Sequence, residues 1–174
     1  YILRKGYELI KGDACLKKDM KRALQGVDFV YHFAAYQDQR SDFSKFFRVN
    51  AASTALLYEL IVEEKLPVKK IIIASSQFVY GDGCYRCGHN GKMFYPELRT
   101  SKQLDRKEWN ILCIHNKPAK FSAFREDQKV NPTNSYGLSK FSSENLAFRL
   151  GKTYNIPTTA LRYSIVQGPR QSPK

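Results

Sequence analysis

The sequence lacks the features that would direct a protein to a membrane or to secretion. It contains no uncharged apolar run of about 18 residues, the length that a membrane-spanning helix needs. No secretory signal stands at its start. The first residue is Tyr1 rather than a methionine, and we interpret the chain as a fragment of a longer protein.

Acidic residues are also scarce. The chain has 16 Asp and Glu against 29 Lys and Arg, which gives a net charge of +13. Such an excess can indicate an anionic partner such as nucleic acid, a nucleotide or a membrane surface. The basic residues are scattered along the whole chain and form no stripe. We therefore favour a solvated basic surface over a nucleic-acid partner, and we expect no membrane partner.

The chain does have enough length and apolar content for a core. It has 174 residues, 43% of them hydrophobic, as expected for one globular domain. The patterns predict strands and helices in the order Tyr7–Ile10, Asp19–Leu24, Val27–Phe33, Phe46–Glu64, Val68–Ala74 and Ile156–Tyr163. The run at 68–74 is continuously apolar apart from two lysines, which is typical of a strand buried on both faces of a parallel sheet. This alternation predicts an α/β fold with a doubly wound parallel sheet.

A tyrosine and a lysine stand four residues apart at the start of a predicted helix that ends at Gly151. Tyr136 and Lys140 would lie on one helical face, one turn apart. A phenol, with a pKa near ~10, is a poor base at neutral pH. An adjacent ammonium favours the phenolate, so the pair can exchange protons with a substrate hydroxyl. The same spacing also arises by chance on any helix.

Small and polar residues follow the predicted strands. Asp13 follows the first strand, Ala34 and Ala35 follow the second, and Ser75 and Ser76 follow the third. In doubly wound sheets the ligand lies outside the carboxyl ends of the strands. Each of these residues alone is ordinary turn chemistry, but their shared position predicts a binding site.

Several motifs occur in a characteristic order. They are Gly12-Asp13, His32–Ala35, Val49-Asn50, Ala74–Gly81, Tyr136-x-x-x-Lys140, Leu161–Tyr163 and Gly168–Arg170. On these motifs the chain resembles the NAD-dependent epimerase/dehydratase branch of the extended short-chain dehydrogenases/reductases, particularly UDP-glucose 4-epimerase-like members. The resemblance implies a Rossmann-like NAD(P)-binding domain, truncated at both ends, over residues 1–81 and 129–174. An insertion at residues 82–128 interrupts it.

The resemblance also implies roles for individual residues. Ser76 would hydrogen-bond the reacting oxygen of the substrate, Tyr136 would be the acid/base, and Lys140 would hold the cofactor ribose and tune the tyrosine. The implied NAD-binding residues are Asp13, Ala34, Ala35, Asn50, Ser75, Tyr136, Lys140 and Tyr163. The implied reaction is epimerisation of a nucleotide-sugar by hydride transfer, in the cytoplasm, with homodimer formation left open.

Three departures from the family pattern matter. Sugar 4,6-dehydratases of this family place an acidic pair after the catalytic hydroxyl, where this chain has Gln77 and Phe78. This favours an epimerase or a simple dehydrogenase. Ser164 and Ile165 stand where epimerases often carry Phe-Asn, at a usual substrate contact. The family's glycine-rich phosphate turn is not in this sequence, so we expect the chain alone to bind dinucleotide poorly and to turn over nothing.

The insertion concentrates cysteine and histidine. A small loop with little apolar content gains order from tetrahedral zinc bound by thiolates and imidazole. The predicted ligands are Cys84, Cys87, Cys113 and His115, with His89 as an alternative histidine. Free thiols and a redox pair at Cys84 and Cys87 remain open, and a disulfide is least expected in a cytosolic setting.

Two other functions stay open at this point. The protein could be a non-catalytic relative that binds dinucleotide, although Ser76, Tyr136 and Lys140 are all present. It could instead be a zinc-containing nucleic-acid-binding module, which predicts strongly salt-dependent binding of DNA or RNA. No stacking platform or basic stripe supports the second alternative.

Overall fold

The computed structural model describes residues 6–38 and 40–169. The chain divides into two compact units, the first comprising residues 1–76 and 139–174 and the second residues 77–138. The second unit thus extends beyond the predicted insertion at both of its ends. Arg170, the last residue of the motif series, lies outside the described residues.

Helices and strands alternate along most of the chain. In order they are α1 (Lys17–Ala23), β1 (Phe29–His32), α2 (Phe43–Phe46), a π-helical segment (Phe47–Ala52), α3 (Ser53–Glu63), β2 (Lys70–Ser76), a 3-10 turn (Gln77–Tyr80), β3 (Cys84–Arg86), β4 (Met93–Phe94), α4 (Ser101–Asp105), β5 (Lys120–Ser122), α5 (Ser135–Thr153) and β6 (Thr158–Tyr163). Five of the six elements predicted from the apolar patterns are found within a few residues of their predicted bounds.

The first unit is built on a parallel sheet. Its strands lie in the order β1-β2-β6, and both pairings are parallel. The register pairs His32 with Ile73 and Ser76 with Tyr163, so the carboxyl ends of β2 and β6 are level. The predicted α/β class with a parallel sheet is confirmed.

The apolar core lies against one face of this sheet. Ile71 and Ile73 of β2 are fully buried, and they join side chains from α1, α3 and α5 in one cluster. Ile72, which alternation places on the opposite face, is only half-buried. Tyr31 of β1 is 64% exposed. The prediction that β2 is buried on both faces is wrong for the described residues, because the helices that join the cluster cover only one of them.

The first predicted strand, Tyr7–Ile10, is also wrong. The segment is not in a strand, and Tyr7 and Leu9 are each 67% exposed. A strand needs a neighbour to satisfy its backbone N–H and C=O groups. In the described part of the chain, this segment is paired with none of the sheet strands.

Helix α5 continues past Gly151, where the sequence predicted its end. It runs to Thr153, and Asn155 takes the left-handed backbone position with φ 55°. The Ile156 N–H then donates to the Gly151 carbonyl (2.8 Å), which closes the helix. Gly151 is needed for a different reason: a Cβ there would collide with Thr158 Oγ1 and the Ile156 carbonyl.

The second unit is built on a small antiparallel sheet in the order β4-β3-β5. Its fully buried apolar residues are few, and three of them are cysteines. They are Val79, Tyr80, Cys84, Cys87, Ile111 and Cys113. Among the described residues of both units, no helix is both long enough and apolar enough to cross a membrane.

Candidate functional site

Helix α5 packs into the first unit with a polar face. Ser139, Lys140, Ser143 and Glu144 are all buried, and their spacing places them on one side of the helix. A helix that packs on a core normally buries apolar side chains on that side. Buried polar groups are costly unless they are hydrogen-bonded, so this face requires a matching set of partners.

Lys140 lies at the carboxyl end of β2. Its side chain is 3% exposed, and Nζ donates to the Ala74 carbonyl at 2.7 Å. Burial lowers the pKa of Lys140 to about 8, because desolvation disfavours the ammonium. The side chain is still mostly protonated at pH 7, which leaves a buried cation next to the end of the central strand.

His32 ends β1 and is buried near this lysine. Its Nε2 lies 3.1 Å from Ser53 Oγ, and Ser53 donates its own proton to the Val49 carbonyl. Nε2 therefore carries the imidazole proton. Burial, and then the charge of Lys140, lower the pKa of His32 to about 4, so it is neutral at pH 7 and acts as a packing residue.

Glu144 joins α5 to two strands. It accepts from Ser75 Oγ at 2.6 Å, from Arg162 Nη2 at 2.6 Å and from Arg162 Nε at 3.1 Å. The ion pair is mostly buried. The hydroxyl of Ser75, predicted to lie near the cofactor ribose, is thus committed to this carboxylate, and its cofactor contact remains a prediction.

Asn50 lies in the π-helical segment and holds the loop after β1. Its Oδ1 accepts from the Tyr36 N–H at 2.7 Å, and its Nδ2 donates to the Tyr36 carbonyl at 3.0 Å and to Ser139 Oγ at 2.8 Å. Both amide hydrogens are therefore used within the protein. Asn50, predicted to bind the cofactor, positions the loop that carries Ala34 and Ala35.

Ala34, Ala35 and Tyr163 lie at or just beyond strand ends, whereas Asp13 lies in the non-strand segment before α1. Ala34 and Ala35 are exposed directly after β1. Asp13 is exposed and accepts from the Cys15 N–H at 2.9 Å. Tyr163 ends β6, and its ring meets the ring of Phe33 edge to face at 6.1 Å.

Ser76 and Tyr136 belong to different units. Ser76 is the last residue of β2 and is buried. Tyr136 lies in the first turn of α5, within the second unit, and its ring meets Phe78 edge to face at 5.6 Å. Lys140 follows one turn later on the same helix. The catalytic roles of these residues remain predictions.

The predicted metal ligands Cys84, Cys87, Cys113 and His115 are not arranged as a metal centre. In residues 6–38 and 40–169, no three His, Cys, Asp or Glu side chains are placed to hold an ion together. Cys84 lies in β3, which ends at Arg86, and Cys87 extends the pairing with β4 by one residue, since its N–H donates to the Lys92 carbonyl at 2.8 Å. Alternation over three positions then places the two side chains on opposite sides of the sheet. A hydrogen bond from Cys87 lowers the pKa of Cys113 to about 7.

Sequence reasoning missed the partners of the polar helix face. Glu144 and Ser143 were not singled out, and Arg162 entered only as a member of the motif Leu161–Tyr163, without a partner. Ser143 bonds Thr54 at 2.8 Å. The signal was present in the helix itself, because its small and polar residues recur at helical spacing around Lys140. A packing helix with polar residues at those positions predicts buried hydrogen-bond partners elsewhere in the chain.

Comparison with known proteins identifies NAD-binding relatives. The family model NAD_binding_4, described as Male sterility protein, matches residues 9–174. The dTDP-L-rhamnose 4-epimerase of Burkholderia thailandensis is 29% identical over 124 residues, which are 71% of this chain and 33% of that protein. The dTDP-D-glucose 4,6-dehydratase of Homo sapiens is 26% identical over 176 residues, covering 98% of this chain and 39% of that protein.

Solved structures agree with the fold. UDP-glucuronic acid 4-epimerase from Bacillus cereus, in complex with UDP-glucuronic acid and NAD, is similar with a TM-score of 0.61 and 27% identity. The match covers 88% of this chain and 38% of that one. The chain thus spans less than two-fifths of the length of these three relatives.

Proposed function

We propose that the full-length protein is a NAD-dependent nucleotide-sugar epimerase. This chain belongs to the NAD_binding_4 (Male sterility protein) family and to the epimerase/dehydratase branch of the extended short-chain dehydrogenases/reductases. One observation carries the proposal. Lys140 is a buried amine at the carboxyl end of β2, one helical turn after Tyr136.

Residues at this edge of the sheet fit a dinucleotide. Ala34 and Ala35 are exposed and have no side chain beyond Cβ, which allows close approach to the backbone. The exposed Asp13 carboxylate suits ribose or adenine hydrogen bonding. The Lys140 ammonium suits a ribose hydroxyl oxygen. Bound NAD would supply a hydride acceptor, and the chain would supply orientation and proton handling.

The proton chemistry is assigned to Tyr136. Its phenolate would take the proton of a sugar hydroxyl as a hydride leaves the same carbon, and would return that proton after the hydride comes back on the opposite face. The nearby Lys140 cation favours the phenolate. Ser76 would hydrogen-bond the sugar oxygen as it changes from hydroxyl to carbonyl.

Epimerisation is favoured over dehydration by the residues that follow Ser76. Elimination of water needs an acid to protonate the leaving hydroxyl and a base to remove a carbon-bound proton. Gln77 and Phe78 carry an amide and a phenyl ring, which can do neither. The similarity of the chain to both epimerases and dehydratases does not by itself separate the two reactions.

The test is Tyr136→Phe in the full-length protein, assayed on a panel of UDP- and dTDP-sugars. We expect turnover at saturating NAD to fall by about 100-fold or more, the usual contribution of a general acid/base. Tyr154→Phe is the matched control, because Tyr154 lies just beyond the same helix and is 48% exposed. Normal turnover by Tyr136→Phe, or an NAD-loaded wild-type protein that interconverts no sugar on the panel, would overturn the proposal.

A further inference from the structure

Two turns in the second unit share one backbone pattern and one sequence pattern. The first joins β3 to β4 and begins at Cys87. The Cys87 N–H donates to the Lys92 carbonyl at 2.8 Å, and the Cys87 carbonyl accepts from the Gly91 N–H at 3.0 Å. Gly91 has φ 71°, in the left-handed region. A histidine, His89, lies at the second position after the cysteine.

The second turn repeats this arrangement at Cys113. The Cys113 N–H donates to the Lys117 carbonyl at 2.9 Å, and the Cys113 carbonyl accepts from the Asn116 N–H at 2.8 Å. The second turn is one residue shorter, and Asn116, with φ 55°, is the left-handed residue just before its end, as Gly91 is in the first turn. His115 again lies at the second position after the cysteine. Each turn therefore presents one thiol and one imidazole.

The two turns lie against each other, cysteine to cysteine and histidine to histidine. The Cys87 side chain hydrogen-bonds the Cys113 sulfur, and both cysteines are buried. The ring centroids of His89 and His115 are 4.5 Å apart with 48° between the ring planes. Two thiols and two imidazoles from separate turns thus form two touching pairs.

Backbone groups of the two turns also contact the Cys113 sulfur. The Cys113 sulfur receives backbone hydrogen bonds from Gly88, His115 and Lys117, so backbone groups of both turns hold it in place. Gly88 allows the close contact of the two turns, because a Cβ at that position would collide with the Pro118 carbonyl.

We propose that Cys87, His89, Cys113 and His115 bind one zinc ion in tetrahedral geometry. Two thiolates and two imidazoles are a donor set that zinc accepts in structural sites. Binding releases one proton from each thiol and leaves both imidazoles neutral. The four side chains do not surround a common point in the described structure. Zinc binding therefore requires both histidine rings to rotate. His115 Nε2 would give up its contact with Asn90 (3.2 Å) and bind the metal instead.

This ligand set differs from the sequence-based one by exchanging Cys84 for His89. Cys84 pairs with Ser122 of β5 and faces the opposite side of the sheet from Cys87. Cys84 and Cys87 are close in sequence, but strand alternation separates their sulfurs. The Cys-x-His repeat, which the two turns share, is the feature that the structure brings together.

The first experiment measures metal in the purified protein and then replaces it with Co²⁺. We expect about one equivalent of zinc, and a Co²⁺ form whose absorption shows tetrahedral coordination and thiolate-to-metal charge transfer. Less than about a tenth of an equivalent, even after incubation with zinc, would overturn the proposal. A Cys87–Cys113 disulfide detected by mass spectrometry in protein purified under reducing conditions would do the same.

The second experiment assigns the ligands and does not depend on any one variant folding. We expect Cys113→Ser and the double variant His89→Asn/His115→Asn to lose zinc, and Cys84→Ser and Cys15→Ser to keep it. A wild-type-like charge-transfer band in Co²⁺-loaded Cys84→Ser confirms that the sulfur at position 84 is not bound. Loss of metal from Cys84→Ser, or full retention by the double histidine variant, would contradict the assignment.

Discussion

The two units differ in what holds them together. The first has a continuous apolar cluster, with Leu57, Leu60 and Ile71 fully buried under one face of a parallel sheet. The second has three short antiparallel strands, and half of its buried apolar residues are cysteines. A unit of this size buries little apolar surface, so a bound metal would contribute a large share of its stability. Cysteine is therefore the most frequent buried apolar residue of the second unit, where the first unit has leucine and isoleucine.

Metal removal tests this contrast with the largest expected effect. A strong chelator should abolish hydrogen-exchange protection of the β3 and β5 amides, because zinc contributes about 10 kcal/mol to the folding of small metal-bound units. The amides of β2 should keep their protection. Equal loss in both units, or no loss in either, would show that the two units are stabilised alike.

The next effect concerns the polar face of α5. Glu144→Ala leaves the mostly buried Arg162 without its carboxylate and should destabilise the first unit by about 3–5 kcal/mol. Glu59→Ala, which removes an exposed partner of Lys17, is the control and should cost less than about 1 kcal/mol. Urea unfolding followed by β2 amide exchange measures both. Equal costs would mean that the buried network adds nothing beyond a surface pair.

Protonation of His32 should give the first unit a pH dependence of its own. Because its pKa is lowered from 6.5 to about 4 in the folded state, the unfolded chain binds more protons between these values. Stability should therefore fall as the pH drops from 6.5 to 4, by at most about 3 kcal/mol. His32→Gln should remove this slope from β2 amide exchange. A slope that persists unchanged would rule out His32 as its source.

The smallest effect comes from two lysines with left-handed backbone, one in each unit. Lys65 has φ 50° and Lys107 has φ 59°, a conformation that costs a non-glycine residue about 1–2 kcal/mol. Substitution by glycine should remove this backbone strain. It should also cost about 0.5–1 kcal/mol of stability, because glycine gives the unfolded chain more conformational entropy. Lys65→Gly should thus slow exchange only in β2, and Lys107→Gly only in β3 and β5. A change that appears in both units would show that they unfold together.

The sequence predicted the sheet well because its signals are local. The apolar runs at β1, β2 and β6 and the long helical pattern of α3 each carry their own periodicity. The segment at Tyr7–Ile10 has the composition of a strand but no pairing in the described sheet, and composition cannot report a missing neighbour. The same limit applies to β2, whose apolar run does not state how many faces are covered.

The site was predicted in part, for a related reason. Lys140 and the residues at the strand ends follow from motif spacing. The partners Glu144 and Arg162 are 18 positions apart and meet only through packing. Cys84 and Cys87 are close in sequence yet separated by strand alternation, whereas Cys87 and Cys113 meet through folding. Long-range contacts of this kind decide which of several plausible side chains share a site.

The central claim is that the polar face around Lys140 serves a bound dinucleotide, and titration calorimetry with NAD tests it most directly. The full-length protein should bind NAD, and Lys140→Ala should weaken this binding by about tenfold or more. Lys152 is an exposed lysine in the last turn of the same helix, and the control variant Lys152→Ala should bind NAD like the wild type. The account would be contradicted if the wild type failed to bind NAD, or if Lys140→Ala bound it as tightly as Lys152→Ala.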